Sequence, residues 1–399
     1  MLEGLYNKFR RITTNKIYLP EIDGIRFLSL SLVTLFHIRG YFLEKTPIKF
    51  ADNVNDYHWL NTLFVNFDRS VPLFFAISGF ILCVPFANHY FNNGKKPVIK
   101  EYYVRRLTRL EPPYFIVMIC IFLAQLALKT GSFSHLFPSL LASLIYSHGF
   151  IYHATPFVTV VAWTLEVEVQ FYVIAPFLFR LLALPAVARR LLLAGSIVFF
   201  VIMQYLYPPR FLSIYGSFEY FLAGVLVADL YVSGFAIEFF KKKWQAIVAA
   251  ITLVGMFLLP RWEEATGPHL LPLAVLFPFM IALLYYIILR NEIVKRVFSW
   301  KFIPVIGGMC YTTYLIHYTV ISFLGRFTLR LKFTDYYIPN MLLQFTLLCS
   351  AILLIASVFY LYVEKPFMSK KWVDKLLKKK KTEVESLTVG TEVQEGMNA

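Results

Sequence analysis

What most constrains this chain is a series of apolar stretches, each about twenty residues long, repeated with short polar interruptions from end to end. Ten can be marked, near 23–43, 70–89, 111–129, 163–183, 191–207, 212–231, 245–260, 270–289, 303–324 and 340–362. Of 399 residues, 58% are hydrophobic and only 16% charged, more apolar surface than a soluble core hides. The pattern predicts an all-α polytopic membrane protein with about ten transmembrane helices. The stretch 136–152 is apolar too, but Pro138, Ser147, His148 and Gly149 interrupt it. It reads as a re-entrant or surface segment and not as an eleventh span.

Basic residues then set the orientation. With the N-terminus inside, the inner loops and tails hold a roughly threefold excess of Lys and Arg over the outer loops, so both termini are predicted to be cytoplasmic. The net charge of +15 is explained by that distribution, and no zinc-finger spacing or separate basic domain points to nucleic acid. The predicted organisation is a cytoplasmic N-terminal segment (1–22) and a transmembrane domain (23–364). A basic amphipathic membrane-surface segment (365–381) and a disordered tail (382–399) follow. The first apolar run contains His37 and Arg39 and lacks a small-residue cleavage site, which argues against a signal peptide. Cys83, Cys120, Cys310 and Cys349 lie in apolar stretches without CxxC spacing and read as small packing residues.

The first span carries the chemistry-bearing pattern. Arg26 and His37 are eleven residues apart, close to three helical turns, so both leave one face, with Asp23, Leu30 and Val33 on the same stripe. They lie ~16 Å apart along the axis. One end thus carries a fixed positive charge and the other a group able to exchange a proton near neutral pH. Ionisable groups near a bilayer centre cost ~2.5–3.5 kcal/mol each, which makes the pair a functional candidate. A snorkelling Arg and a His bonded to a neighbouring helix is the plainer alternative.

Further along, Arg105, Arg106 and Arg109 fall at i, i+3 and i, i+4 spacing, a guanidinium cluster suited to phosphate, followed by Pro112 and Pro113 at the predicted start of the next span. In Trp163-Thr164-Leu165-Glu166-Val167-Glu168-Val169-Gln170-Phe171-Tyr172 the two carboxylates point about 200° apart on a helix. Glu168 shares a face with Tyr172 and is a site candidate, while Glu166 reads as an interfacial carboxylate. His37, Glu168 and His317 are expected at similar depth, in one layer near the outer surface. His58, His135, His148 and His153 match no metal-ligand spacing, and no metal site is expected.

These residues carry a family resemblance. The chain resembles the acyltransferase 3 family of integral membrane acyltransferases over most of residues 20–367. Arg26 and His37 are similar to its Arg-x10-His signature, and Arg106 and Arg109 to its Arg-x-x-Arg. Ser70 to Leu82 resembles Asp-Leu-Phe-Phe-x-x-Ser-Gly-Phe, with Pro72 where Asp is usual. Trp163 to Tyr172 resembles Trp-Ser-Leu-x-x-Glu-x-Gln-Phe-Tyr, with Thr164 for Ser. Tyr314-Leu315-Ile316-His317 and Val363-Glu364-Lys365-Pro366-Phe367 resemble its closing signatures.

The resemblance implies transfer of an acyl group, usually acetyl, from cytoplasmic acyl-CoA (acetyl-CoA) to a hydroxyl of a surface glycan, lipid-linked sugar or similar acceptor, in the bacterial cytoplasmic (inner) membrane. Expected partners are therefore acyl-CoA, a carbohydrate or lipid-linked glycan acceptor and the lipid bilayer, with the oligomeric state left open. Arg26, Arg106 and Arg109 would hold the CoA phosphates, and His37 would serve as general base. Glu168 or His317 would set the tautomer of His37 or stabilise its imidazolium, and Ser78 or nearby backbone N–H groups would serve an oxyanion. The competing classes are a transporter or flippase using buried His and Glu as a proton relay, and a non-catalytic scaffold. Against the first stand the absence of visible inverted repeats and the cytoplasmic Arg cluster.

Overall fold

The computed structural model describes residues 8–9, 11, 18–45, 54–235, 243–260, 270–331 and 333–368, and among them it is all-helical, without a strand. In chain order the helices are α1 (Pro20–Gly40), α2 (His58–Val65), α3 (Ser70–Phe91), α4 (Ile99–Ala127), α5 (Phe133–Leu144), α6 (His148–Tyr152), α7 (Trp163–Leu178) and α8 (Ala186–Leu206). They continue as α9 (Phe218–Val232), α10 (Gln245–Leu258), α11 (Leu271–Arg290), α12 (Glu292–Phe298), α13 (Phe302–Gly308), α14 (Cys310–Thr328) and α15 (Tyr337–Phe359). The π-helical turns Tyr41–Lys45 and Tyr360–Glu364 extend α1 and α15. The basic segment and tail expected beyond Met368 lie outside the described residues.

Five helical stretches among the described residues are long and apolar enough to cross a membrane: His58–Phe91, Ile99–Ala127, Ala186–Leu206, Leu271–Arg290 and Tyr337–Phe367. Large apolar side chains such as Val187, Leu191, Ile247, Ile251, Leu342 and Leu354 point outward from α8, α10 and α15. In water such a belt would drive aggregation, whereas acyl chains accept it. The chain is a multi-pass membrane protein. The segment 136–152 forms no long span: α5 and α6 are short helices separated at Ile145–Ser147.

Three sequence expectations shift. Pro112 and Pro113 do not begin a helix but sit inside α4, which starts at Ile99. Their missing N–H groups leave the Thr108 and Arg109 carbonyls without helical donors, which a helix packed in a membrane bundle tolerates; beside them the Tyr311 hydroxyl donates to the Leu110 carbonyl (2.7 Å). The span expected at 303–324 is broken into α13 and α14 after Gly307-Gly308, both weak helix formers. Of the cysteines, Cys83 and Cys310 are buried but Cys120 is exposed on α4.

α1 opens at Pro20, with Glu21 and Asp23 in its first turn and His37 and Arg39 in its last, each sign at the end the helix dipole favours. It forms the seam between two apolar clusters. Ile22, Ile25, Leu30 and Val33 join one with α3, α7, α9 and α11, whereas Ile38 and Phe42 join another with α4, α5, α14 and α15. α3 and α9 pack in direct backbone contact. A Cβ on Gly79 would collide with the Phe221 carbonyl, and one on Gly224 with the Ala76 carbonyl, so the glycines permit reciprocal backbone contact. Phe221 fills the space beside them, stacked on Phe75 (4.8 Å) and Phe171 (4.2 Å). That contact fixes the height of Ser78 within the bundle.

Candidate active site

Four arginines line one partly open cavity of about 120 Å³. Arg26 enters from the second turn of α1, Arg106 and Arg109 from adjacent turns of α4, and Arg11 from the chain before α1. The Asp23 carboxylate accepts hydrogen bonds from Arg26 and from Arg11 (3.1 Å). Arg106 and Arg109 donate no hydrogen bond to any described residue, although Arg106 lies over the Tyr172 ring (5.8 Å). Arg105 takes no part: it is exposed and pairs with Glu101 (3.3 Å). Burial, then the neighbouring Arg26 charge, holds the Arg11 guanidinium below its ordinary value. Guanidinium groups concentrated around open space are suited to a multiply charged anion such as a phosphate.

The far wall of this chamber is built from α3, α7 and α14. Ser78 donates through its hydroxyl to Glu168, and Tyr172, one turn on, lines the same wall. Glu364, in the turn after α15, is buried and accepts from the Thr312 amide (3.2 Å) and hydroxyl. Thr164 donates through its hydroxyl to that of Tyr314 (3.0 Å), closing the wall between α7 and α14.

Beyond Tyr314 lies the histidine pair. The rings of His37 and His317 are 5.2 Å apart, centre to centre. His317 is fully buried, three residues past Tyr314, and its ring lies 5.4 Å from the Tyr314 ring. Its Nδ1 is 2.6 Å from the Tyr314 carbonyl, which only accepts, so Nδ1 carries the proton and Nε2 the lone pair. That Nε2 has no hydrogen-bond partner among the described residues. His37 packs edge-on to Tyr318 (5.1 Å) and Phe36 (5.0 Å), and the Tyr318 hydroxyl accepts from Lys45.

The expected layer of three thus divides. His37 and His317 meet, while Glu168 belongs to the arginine chamber, bonded to Ser78 and not to a histidine. α7 presents that face to α3, a packing choice that helix periodicity within one segment does not contain. The opposite direction expected for Glu166 does hold: its two oxygens accept from the Gly149 amide (3.1 Å each), tying α7 to the start of α6. Sequence reasoning named Glu364 only as part of a motif and did not raise Arg11 at all. For Glu364 the available signal was a carboxylate at the end of an apolar span. Arg11 precedes every periodic segment and gave none.

The family model for the acyltransferase 3 group, described as an acyltransferase domain, matches residues 19–361. A protein of Staphylococcus aureus (strain COL) is 23% identical over 380 residues, covering 88% of this chain and 57% of that protein. O-acetyltransferase OatA of Staphylococcus aureus (strain NCTC 8325) is 22% identical over 385 residues, covering 88% of this chain and 58% of OatA. The chain therefore spans less than two thirds of the length of these curated relatives. No solved structure matches it. Arg26, His37, Ser78, Arg106, Arg109, Glu168 and His317 all fall inside the matched region, and on that match this chain belongs to the acyltransferase 3 family.

Proposed function

We propose that this protein is a membrane-bound O-acyltransferase that takes an acyl group, acetyl in the first instance, from cytoplasmic acyl-CoA and passes it to a hydroxyl of a surface glycan or lipid-linked sugar. The observation that carries this reading is the continuity of one site: guanidinium groups around an open chamber, joined through Tyr314 to a pair of histidines. In this reading ten helices cross the bacterial cytoplasmic membrane, both termini face the cytoplasm, and the chamber opens inward. The CoA phosphates sit against Arg26, Arg106 and Arg109. The pantetheine arm runs past Glu168 toward His37, ~16 Å further along α1.

His37 is the general base. It takes the proton of the acceptor hydroxyl as that oxygen attacks the thioester carbonyl; the C–S bond then breaks, and the CoA thiolate takes the proton back from the imidazolium. His317, with Nδ1–H committed to the Tyr314 carbonyl, keeps an unpartnered lone pair on Nε2 beside the His37 ring, and in the reaction that lone pair receives the N–H of the His37 imidazolium. Formed as the charge develops, that contact holds the transient positive charge, as the third member of a triad does. Glu168, held by Ser78, shapes the donor side of the chamber in place of supporting the histidine. Against a transporter's proton relay stands the match to an acyltransferase domain over residues 19–361.

The test is transfer itself. Membranes containing the protein, incubated with acetyl-labelled CoA, should move label into a glycan or lipid fraction. A preparation that binds the donor yet moves no label to any hydroxyl-bearing fraction contradicts the proposal.

A further inference from the structure

The N-terminal residues reach into the chamber from outside the matched family region of residues 19–361. Phe9 packs onto a small apolar cluster of Met309, Tyr360 and Met368. The Lys8 carbonyl accepts a hydrogen bond from Lys365. Two residues beyond Phe9, Arg11 lines the chamber, with its side chain 13% exposed and Nη1 on Asp23 (3.1 Å). Gly308 packs beside it: a Cβ there would meet the Arg11 Cβ at 3.4 Å, in ordinary contact. The Arg11 Nε is buried and has no hydrogen-bond partner among the described residues. Asp23 is shared with Arg26, so the carboxylate that Arg11 touches is divided between two guanidinium groups. Arg11 also stands at the Asp23 end of α1, opposite His37.

From this arrangement we infer that Arg11 is a donor-binding residue, contributed by an N-terminal arm that Phe9 docks, and that it takes a phosphate at the nucleotide end of acyl-CoA. The inference rests on the proposed donor site and adds to it a ligand from beyond the family domain. Arg11 adds a fourth guanidinium group to those of Arg26, Arg106 and Arg109, and its N–H groups not spent on Asp23 remain as donors. The arm thereby makes donor affinity depend on a docking contact remote from the histidines.

The experiment measures acetyl-CoA dissociation constants for the wild type and for Arg11→Ala, Arg11→Lys, Phe9→Ala and the Phe9→Ala/Arg11→Ala pair, in nanodiscs of neutral and of anionic lipid. Arg11→Ala should weaken binding about 10- to 100-fold in neutral lipid, and Arg11→Lys should recover part of the loss. Phe9→Ala should weaken it too, and the double variant should bind no worse than Arg11→Ala alone, since an undocked arm has no arginine to lose. Unchanged affinity in Arg11→Ala, or losses that add in the double variant, would overturn the inference. So would a loss confined to anionic lipid, which would assign Arg11 to a headgroup. If Arg106→Ala and Arg109→Ala weaken binding while Arg11→Ala does not, only the arm's role falls; if none of the three matters, the donor site itself falls.

Discussion

The arginine chamber and the histidine pair have two helices in common. α1 gives Arg26 to one and His37 to the other, and α14 gives Tyr311 and Tyr314 to one and His317 to the other. Their surroundings nevertheless differ. Around the arginines, charge is concentrated, carboxylates are shared, and Arg106 and Arg109 are left without hydrogen-bond partners among the described residues. Around the histidines the neighbours are rings and a backbone carbonyl, and the lone pair of His317 is kept free. The first environment suits holding a polyanion; the second suits a group that must accept a proton. Separating the two along one helix lets a strongly charged donor bind without placing its phosphates beside the base.

That contrast can be broken at either end. His37→Ala should have the largest effect, lowering acyl transfer by ~10²–10⁴ or more while donor affinity and membrane insertion are kept, as read from transfer assays beside binding isotherms. Replacing Arg106 and Arg109 with Ala should weaken acetyl-CoA binding by about 10- to 100-fold, at ~1.5–3 kcal/mol for a charged hydrogen bond, with turnover recovered at saturating donor. Tyr314→Phe removes the hydroxyl that meets Thr164 between the two regions. It should lower turnover about fivefold, equivalent to ~1 kcal/mol, with an unchanged donor dissociation constant. Glu166→Gln should be the mildest for chemistry. It weakens the hold on the Gly149 amide, so the melting temperature should fall by a few degrees, at ~1 kcal/mol, while binding and transfer stay at wild-type values.

Much of this was legible in the sequence because helix periodicity is a local property. The Arg26–His37 stripe and the opposed directions of Glu166 and Glu168 follow from 3.6 residues per turn and are present in α1 and α7. What periodicity does not hold is which faces of different helices meet. Glu168 was expected beside His37 and instead meets Ser78, because α7 packs on α3 in a bundle whose α3–α9 spacing is set by Gly79 and Gly224. The pairing of His37 with His317 joins residues 280 positions apart, and nothing local selects it over Glu168. Pro112 and Pro113 are ambiguous for a related reason: in water a proline pair marks a helix start, while within a packed membrane bundle the helix runs through it. Arg11 carries no periodic signal, and only the folded chain brings it to the chamber.

The division of labour between the two regions is tested most directly by measuring acetyl-CoA affinity and transfer rate on the same reconstituted samples of wild type, His37→Ala and Arg106→Ala/Arg109→Ala. The account predicts that the histidine variant binds donor normally and forms no product, whereas the arginine variant binds weakly yet approaches wild-type turnover when donor is raised. Loss of donor binding on removing His37, or lost turnover at saturating donor in the arginine variant, would contradict it.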